Sequence, residues 1–271
     1  MKPNAENQVA GAGAYWIVCV AFLGWLFAGV HMSITQMTAQ PVAIDLLNHV
    51  GQIDAVQLAM FNKRQTPNPD SAPLSSIELQ QLDSWKSQVA SWFTWYQCAF
   101  LFGAAAGGLA FGWLGDRIGR AKAMTASILT YSSLSALSTL AQTPLQFWII
   151  WFLACTGVGG MWPNGVAIVS EAWSALSRPA LAGVIGTAAN VGIFGMSTIG
   201  TQLAISSDSW RWVLLISAIP FLLGLFAFAT VPESPQWLAM HEARRHTVPS
   251  SGARERRSSD TWELFQPPLL R

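Results

Sequence analysis

The sequence predicts an all-α integral membrane protein with six membrane-spanning helices, and three observations carry that prediction. Of its 271 residues 52% are hydrophobic and 11% charged, with a mean hydropathy of +0.35, too apolar and too charge-poor for an ordinary soluble domain. Apolar runs of about twenty residues recur along the chain, each long enough to cross the hydrocarbon core as a helix. The cations are sorted between the connecting segments. Eleven of the 15 Lys and Arg fall on one predicted side, leaving Lys63, Arg64, Lys86 and Arg211 on the other. Both termini are therefore expected in the cytoplasm of a multi-pass cell-membrane protein.

A formal net charge of +1 leaves no basic face for nucleic acid. Cys19, Cys98 and Cys155 all lie in apolar runs without metal-ligand spacing, so they read as small buried hydrophobes, and no metal or cofactor is expected.

Residues 1–13 are a polar, glycine-rich tail, and the membrane domain is expected over 14–238. The first span is placed at 14–34, opened by Tyr15 and Trp16 as an interfacial belt. Hydropathy drops over 35–90, predicting a long extracytoplasmic loop with a proline-rich linker, 66–73, between amphipathic pieces at 43–61 and 74–89. Either a cap over the entrance or a plain spacer fits that pattern.

The second span, 92–114, carries Gly103, Gly107, Gly108 and Gly112 at small-xxx-small spacing, a face that packs on another helix. A charged loop, 112–122, follows. The third span, 123–141, is rich in Ser and Thr, whose hydroxyls can bond backbone carbonyls of their own helix or reach neighbours. In the fourth, 145–169, Gly157-Val-Gly-Gly-Met-Trp-Pro-Asn-Gly165 allows close approach and kinking. The fifth, 181–203, is again glycine-rich, and Asp208 and Arg211 mark the turn before the sixth, 212–231. Pro232-Glu-Ser-Pro-Gln-Trp-Leu238 stops that helix, and 239–271 is read as a basic, serine-rich tail ending before a further helix.

The charged loop carries a resemblance. Gly112, Leu114, Asp116, Arg117, Gly119 and Arg120 match the G-x-L-x-D-R-x-G-R signature between the second and third helices of major facilitator superfamily transporters. The Gly157 to Pro163 run with Glu171 beyond it, and the P-E-S-P-x-W-L stretch from Pro232, resemble the sugar-porter and aromatic-acid:proton symporter branches. The resemblance implies a six-helix bundle equivalent to one half of the twelve-helix fold, here the amino-terminal half. It implies transport of a small organic solute, sugar-like or carboxylate-like, by alternating access and not enzymatic catalysis. Asp116, Arg117 and Arg120 would then join a charge network that breaks and reforms during the cycle, with Glu171, Arg178 and Glu233 as cytoplasmic gate candidates. An exposed Glu171–Arg178 pair is one expectation.

The chain departs from those relatives at two places. Trp151-Phe152 stands where they place an arginine, and Phe27-Ala28-Gly29-Val30-His31 replaces an aspartate pattern in the first helix. His31 fits two readings, a group that exchanges protons or bonds an anionic substrate, or a neutral imidazole bonded between helices. Asn164, Asn190 and Gln202 are candidates for lining a cavity or for gluing helices together. Trp25, Trp95 and Trp162 are candidates for stacking on a ring or sugar or for packing. Expected partners are the lipid bilayer, a solute with protons as one candidate coupling ion, and either a second six-helix half or a second copy. The alternative reading is a truncated or non-transporting membrane scaffold or regulatory half-transporter.

Overall fold

The computed structural model describes residues 11–65, 73–173, 178–202 and 205–246. Among them the chain is helical, with no strand: α1 (Gly11–His49), α2 (Ala55–Gln65), α3 (Ser76–Ile118), α4 (Arg120–Ser138), α5 (Pro144–Ala172), α6 (Arg178–Gly200), α7 (Trp210–Ile216), α8 (Pro220–Thr230) and α9 (Pro235–His246). Among the described residues five stretches are long and apolar enough to cross a membrane: α1, α3, α5, α6, and α7 with α8 together. The sixth expected span, α4, is more polar, yet it packs against α5, α8 and α3 as a full member of the bundle.

Several sequence boundaries need correction. The first span does not stop at 34: α1 continues through Pro41 to His49, and at 39 residues it is about 58 Å long. That is nearly twice the ~30 Å hydrocarbon thickness. At the same end α3 begins at Ser76, capped by a Ser75–Glu78 capping box, and runs 43 residues without a break. The described part of 35–90, read as a long connection holding two amphipathic pieces, is thus mostly helix. The amphipathic piece expected at 43–61 is divided between α1 and α2 by a turn at Gly51, whose φ is 73°. These overshooting ends and α2 bury Leu46, Leu47, Ile53, Leu58, Phe61, Leu82 and Trp85 in one cluster that continues down to Phe147 and Trp151. Burial against that cluster, which a hydropathy average does not register, keeps the less apolar turns helical.

The loop expected at 112–122 is reduced to Gly119 alone, between α3 and α4. Its φ of 113° lies where L side chains are strained, so a single glycine reverses the chain. The sixth span is not continuous. Ser217, Ala218 and Ile219 donate to carbonyls three residues back, and Pro220 opens α8 at its first position. The tail read from 239 onward is helical as far as His246, in α9, while the rest of it lies outside the described residues.

Glycines set the helix spacing. A Cβ on Gly107 would collide with the Thr156 carbonyl and one on Gly159 with the Ala104 carbonyl, so α3 and α5 meet backbone to backbone. Gly29 and Gly192 do the same for α1 and α6, against Ala189 and Leu26. Gly112, in the other predicted small pair, has open space around it. The cysteines divide three ways: Cys155 is buried, Cys98 is half-buried, and Cys19 is exposed on the bundle surface, against the expectation of burial.

Candidate functional site

At the bundle end opposite α2, the two motif stretches meet. Arg120 Nη2 lies 2.6 Å from Asp116 Oδ1, an i,i+4 pair bridging the Gly119 break, and Arg120 Nε lies 4.0 Å from Glu171 Oε1 on α5. Asp116 is 66% exposed, so its pair is worth at most about 1 kcal/mol, while Glu171 is 14% exposed and better shielded from water. Glu171 accepts a short hydrogen bond from the Ser234 hydroxyl, which itself accepts from the Trp237 backbone N–H at 3.2 Å. The Trp237 indole donates to the Asp116 carbonyl at 3.1 Å. Arg120 is therefore the partner of Asp116, and the Pro232–Leu238 stretch closes the network from the far side.

Glu233 has the most defined task. Its Oε1 accepts the Ala121 backbone N–H at 2.9 Å and the Ser234 N–H at 3.0 Å. Ala121 is in the first turn of α4, where N–H groups have no intrahelical acceptor, and Gly119 carries no side chain to cap them. A carboxylate from α9's approach segment supplies the cap, and the helix dipole favours its negative charge. Glu233 Oε2 is buried without a partner, in the space a Gly119 Cβ would fill.

The remaining hinge residues behave differently. Arg117 is exposed and lies with its guanidinium carbon 3.9 Å over the Trp113 ring, outside the network. Arg178 falls at the start of α6, its side chain outside the described residues, and Glu171 has Arg120 and Ser234 as its partners.

The polar candidates within the bundle are not brought together. His31 is fully buried, stacked on Trp151 at 4.5 Å and 14°, with Nδ1 3.1 Å from Ser135 Oγ and Nε2 3.9 Å from Cys155 Sγ. Ser135 has one hydroxyl proton, and the Tyr131 carbonyl at 2.6 Å takes it. The serine oxygen then accepts from His31 Nδ1–H, leaving Nε2 to accept from the Cys155 thiol, a neutral tautomer with both nitrogens occupied. Asn164 donates to Phe111 O and Gly160 O, both at 2.9 Å, and ties α5 to α3. Asn190 and Gln202 are exposed, and among the described residues they bond within their own segments to Gly186 O and Thr201 Oγ1.

Aromatic groups do converge. Trp25 and Trp162 sit 5.0 Å apart, and a Cβ on Gly186 of α6 would lie 3.6 Å from the Trp162 ring. Asn190 is one turn along α6 from Gly186, on the same helix. Trp95 is separate, exposed near Trp148, whose indole donates to its carbonyl.

At the opposite end the structure adds a pairing that sequence reading missed. Arg211 Nη1 lies 2.6 Å from Asp45 Oδ2, and the Trp210 indole donates to the same oxygen at 2.9 Å. Arg211 also donates to the Thr139 and Ala141 carbonyls, beyond the end of α4. Asp45 falls in the segment 35–90 read as a loop, and its position on a continuous α1 is what aims it at Arg211.

A bundle of apolar helices spaced by glycine contacts, with its ionic groups gathered at the ends, defines a multi-pass membrane protein. The sequence profile of the Major Facilitator Superfamily matches residues 71–266, and the chain belongs to that family. It is similar to solute carrier family 22 member 1 of Bos taurus, 31% identical over 66% of this chain and 30% of the relative. It also resembles the gentisate transporter of Corynebacterium glutamicum, 31% identical over 55% of this chain and 34% of that one, and the cis,cis-muconate transport protein of Acinetobacter baylyi, 30% identical over 51% and 33%. A double-tryptophan mutant of XylE superposes with a TM-score of 0.57 at 22% identity, covering 83% of this chain and 46% of that structure. The fold is half of a major facilitator bundle, and the chain spans about a third of the curated relatives it matches.

Proposed function

We propose that this chain acts as the amino-terminal six-helix half of a cell-membrane transporter, moving a small organic solute by alternating access against a second bundle. The observation that carries the reading is Glu233 bonding Ala121 N–H across 112 residues of sequence, which ties the end of the sixth span to the Asp116–Arg120 hinge. Charge-assisted contacts confined to one end of a bundle can be broken and remade without unpacking its core. The uneven distribution of Lys and Arg supports a cytoplasmic location for that end and for both termini.

In this reading Asp116, Arg120, Glu171, Ser234 and Glu233 form the cytoplasmic latch, and Arg117 anchors on Trp113 beside it. Trp25, Trp162 and Asn190 belong to the solute-facing side, since indoles and an amide suit a planar or hydroxylated solute. His31 is a neutral packing group: among the described residues no carboxylate contacts it, and both ring nitrogens are already used. The exposed apolar residues Phe102, Leu109, Val191 and Phe194 on α3 and α6 suit lipid or a facing bundle.

The test is uptake by proteoliposomes carrying this chain alone or with a six-helix carboxy-terminal half supplied as a separate chain. Radiolabelled gentisate, cis,cis-muconate and a neutral sugar serve as probes. Uptake is expected only with the complement, and uptake by the chain as a strict monomer would contradict the proposal. Labelling of a cysteine introduced at the exposed Lys122 from outside the cell would overturn the orientation.

A further inference from the structure

The overshooting ends of α1 and α3, bridged by α2, enclose an open pocket of about 390 Å³, within the ~300–1,000 Å³ usual for small-molecule sites. Gln40 and Ile44 of α1, Leu58 and Asn62 of α2, and Lys86, Val89, Ala90 and Phe93 of α3 form its wall. The chemistry of that wall is one-sided. Among the described residues it holds one cation, two neutral amides and an apolar floor, and no acid. Lys86 is exposed and gives one of its three N–H donors to Gln65 Oε1 at 2.7 Å, keeping two.

The polar lining continues toward the membrane. Gln36 lies one turn from Gln40 on α1 and Gln97 one turn from Phe93 on α3, and Gln36 Nε2 donates to Gln97 Oε1 at 3.0 Å. Gln97 Nε2 is buried without an acceptor. Among the described residues donors therefore outnumber acceptors from Lys86 down to Gln97, and an ionised carboxylate is a ligand group that contributes acceptors alone.

We infer that this pocket is a vestibule binding site for small aromatic or otherwise apolar carboxylates, with Lys86 and the Gln40 and Asn62 amides holding the carboxylate and Phe93, Val89 and Leu58 the ring. The site deepens the transport reading by naming an organic-anion class and rests on it for its place ahead of the transport route. As binding alone, it stands independently of translocation. Organic cations are disfavoured by Lys86, and neutral analogues leave its charge unanswered.

The test is equilibrium binding of radiolabelled benzoate to the full chain in phosphatidylcholine nanodiscs, which hold no anionic lipid to compete. Saturable binding is expected, displaced by benzoate and not by benzylamine or benzyl alcohol at equal concentration. Lys86→Gln and Gln40→Glu should each weaken it by about tenfold or more, Lys86→Arg by far less, and Lys122→Gln at the other end not at all. Retained thermal unfolding of each variant separates lost binding from lost folding. Absence of saturable binding, or full binding by a folded Lys86→Gln, would overturn the inference. Binding lost in Trp162→Ala and kept in Lys86→Gln would overturn it while leaving the transport reading in place. Failed uptake with vestibule binding intact would do the reverse.

Discussion

Removing the Glu233 carboxylate should open the first turn of α4 by a calculable amount. In Glu233→Ala the Ala121 N–H loses its acceptor at 2.9 Å, and no side chain at Gly119 can replace it. A hydrogen bond to a charged group is worth about 1.5–3 kcal/mol, and a carboxylate at a helix N-terminus adds about 0.3–1 kcal/mol. Because Glu233 is partly open to solvent, the lower part of that range applies, and about 2 kcal/mol corresponds to roughly 30-fold more frequent local opening. Hydrogen exchange of the peptide covering 119–124, followed by mass spectrometry on the chain in nanodiscs, reads that change directly. Glu233→Gln keeps an acceptor and loses the charge, so it should accelerate exchange by only about 5-fold. Unchanged exchange in Glu233→Ala would refute the capping assignment. Equal acceleration by Ala and Gln would show that charge alone, and not the hydrogen bond, holds the turn.

Three further outcomes follow from the packing. Gly107→Val should abolish the detergent-stable folded chain, because its Cβ meets the Thr156 carbonyl, whereas Gly112→Ala faces open space and should keep its yield; size-exclusion profiles compare them. His31→Phe preserves the ring stacked on Trp151 and should leave the pH profile of uptake in an active assembly unmoved, and a shifted profile would return His31 to the proton pathway. Arg211→Met keeps an aliphatic stem while removing the Asp45 pair. With the two side chains 42% and 22% exposed, a double-mutant cycle with Asp45→Asn in thermal unfolding should give coupling of about 1 kcal/mol or less, and a value above about 3 kcal/mol would show a buried pair instead.

What the sequence disclosed depended on the range of each interaction. Apolar runs and glycine spacing are local, so the spans and a packing face at Gly103 and Gly107 could be read directly, while the helix that fills that face, α5, could not. The motif resemblance identified Asp116, Arg120, Glu171 and Glu233, which the structure places in neighbouring contacts. Hydropathy failed where helices leave the membrane, because Leu46, Leu47, Leu82 and Trp85 gain their burial from one another across a linker. The same failure hid the pocket: Gln40 fell in the segment read as a loop and Lys86 in an amphipathic piece of it, and the pocket between them exists because α1 and α3 continue past both. Asn164 and Asn190 were equal candidates by residue type, and only packing shows one bonded to α3 and the other exposed on α6.

The polar α4 explains how a helix outside the five most apolar spans can occupy the bundle interior. Thr125, Ser127, Ser132, Ser135 and Ser138 are buried, and each hydroxyl donates to a carbonyl three or four residues back in the same helix. Those protons need nothing from neighbours, so burial leaves no donor unsatisfied. Small side chains bonded inward make a slim helix, and α5 uses the space: a Cβ on Gly157 would strike Ser127 O and Tyr131 N of α4, and one on Gly160 would strike Phe111 of α3. Serine on α4 and glycine on α5 are therefore one solution to close packing in lipid, where apolar burial between helices contributes little. Both helices then run toward the motif end as a backbone-packed unit, with Arg120 at the start of α4 and Glu171 near the end of α5. A stiff pair of this kind would transmit a break at Glu233 or Ser234 as a rigid displacement, so latch variants should alter helix position before they alter helix content.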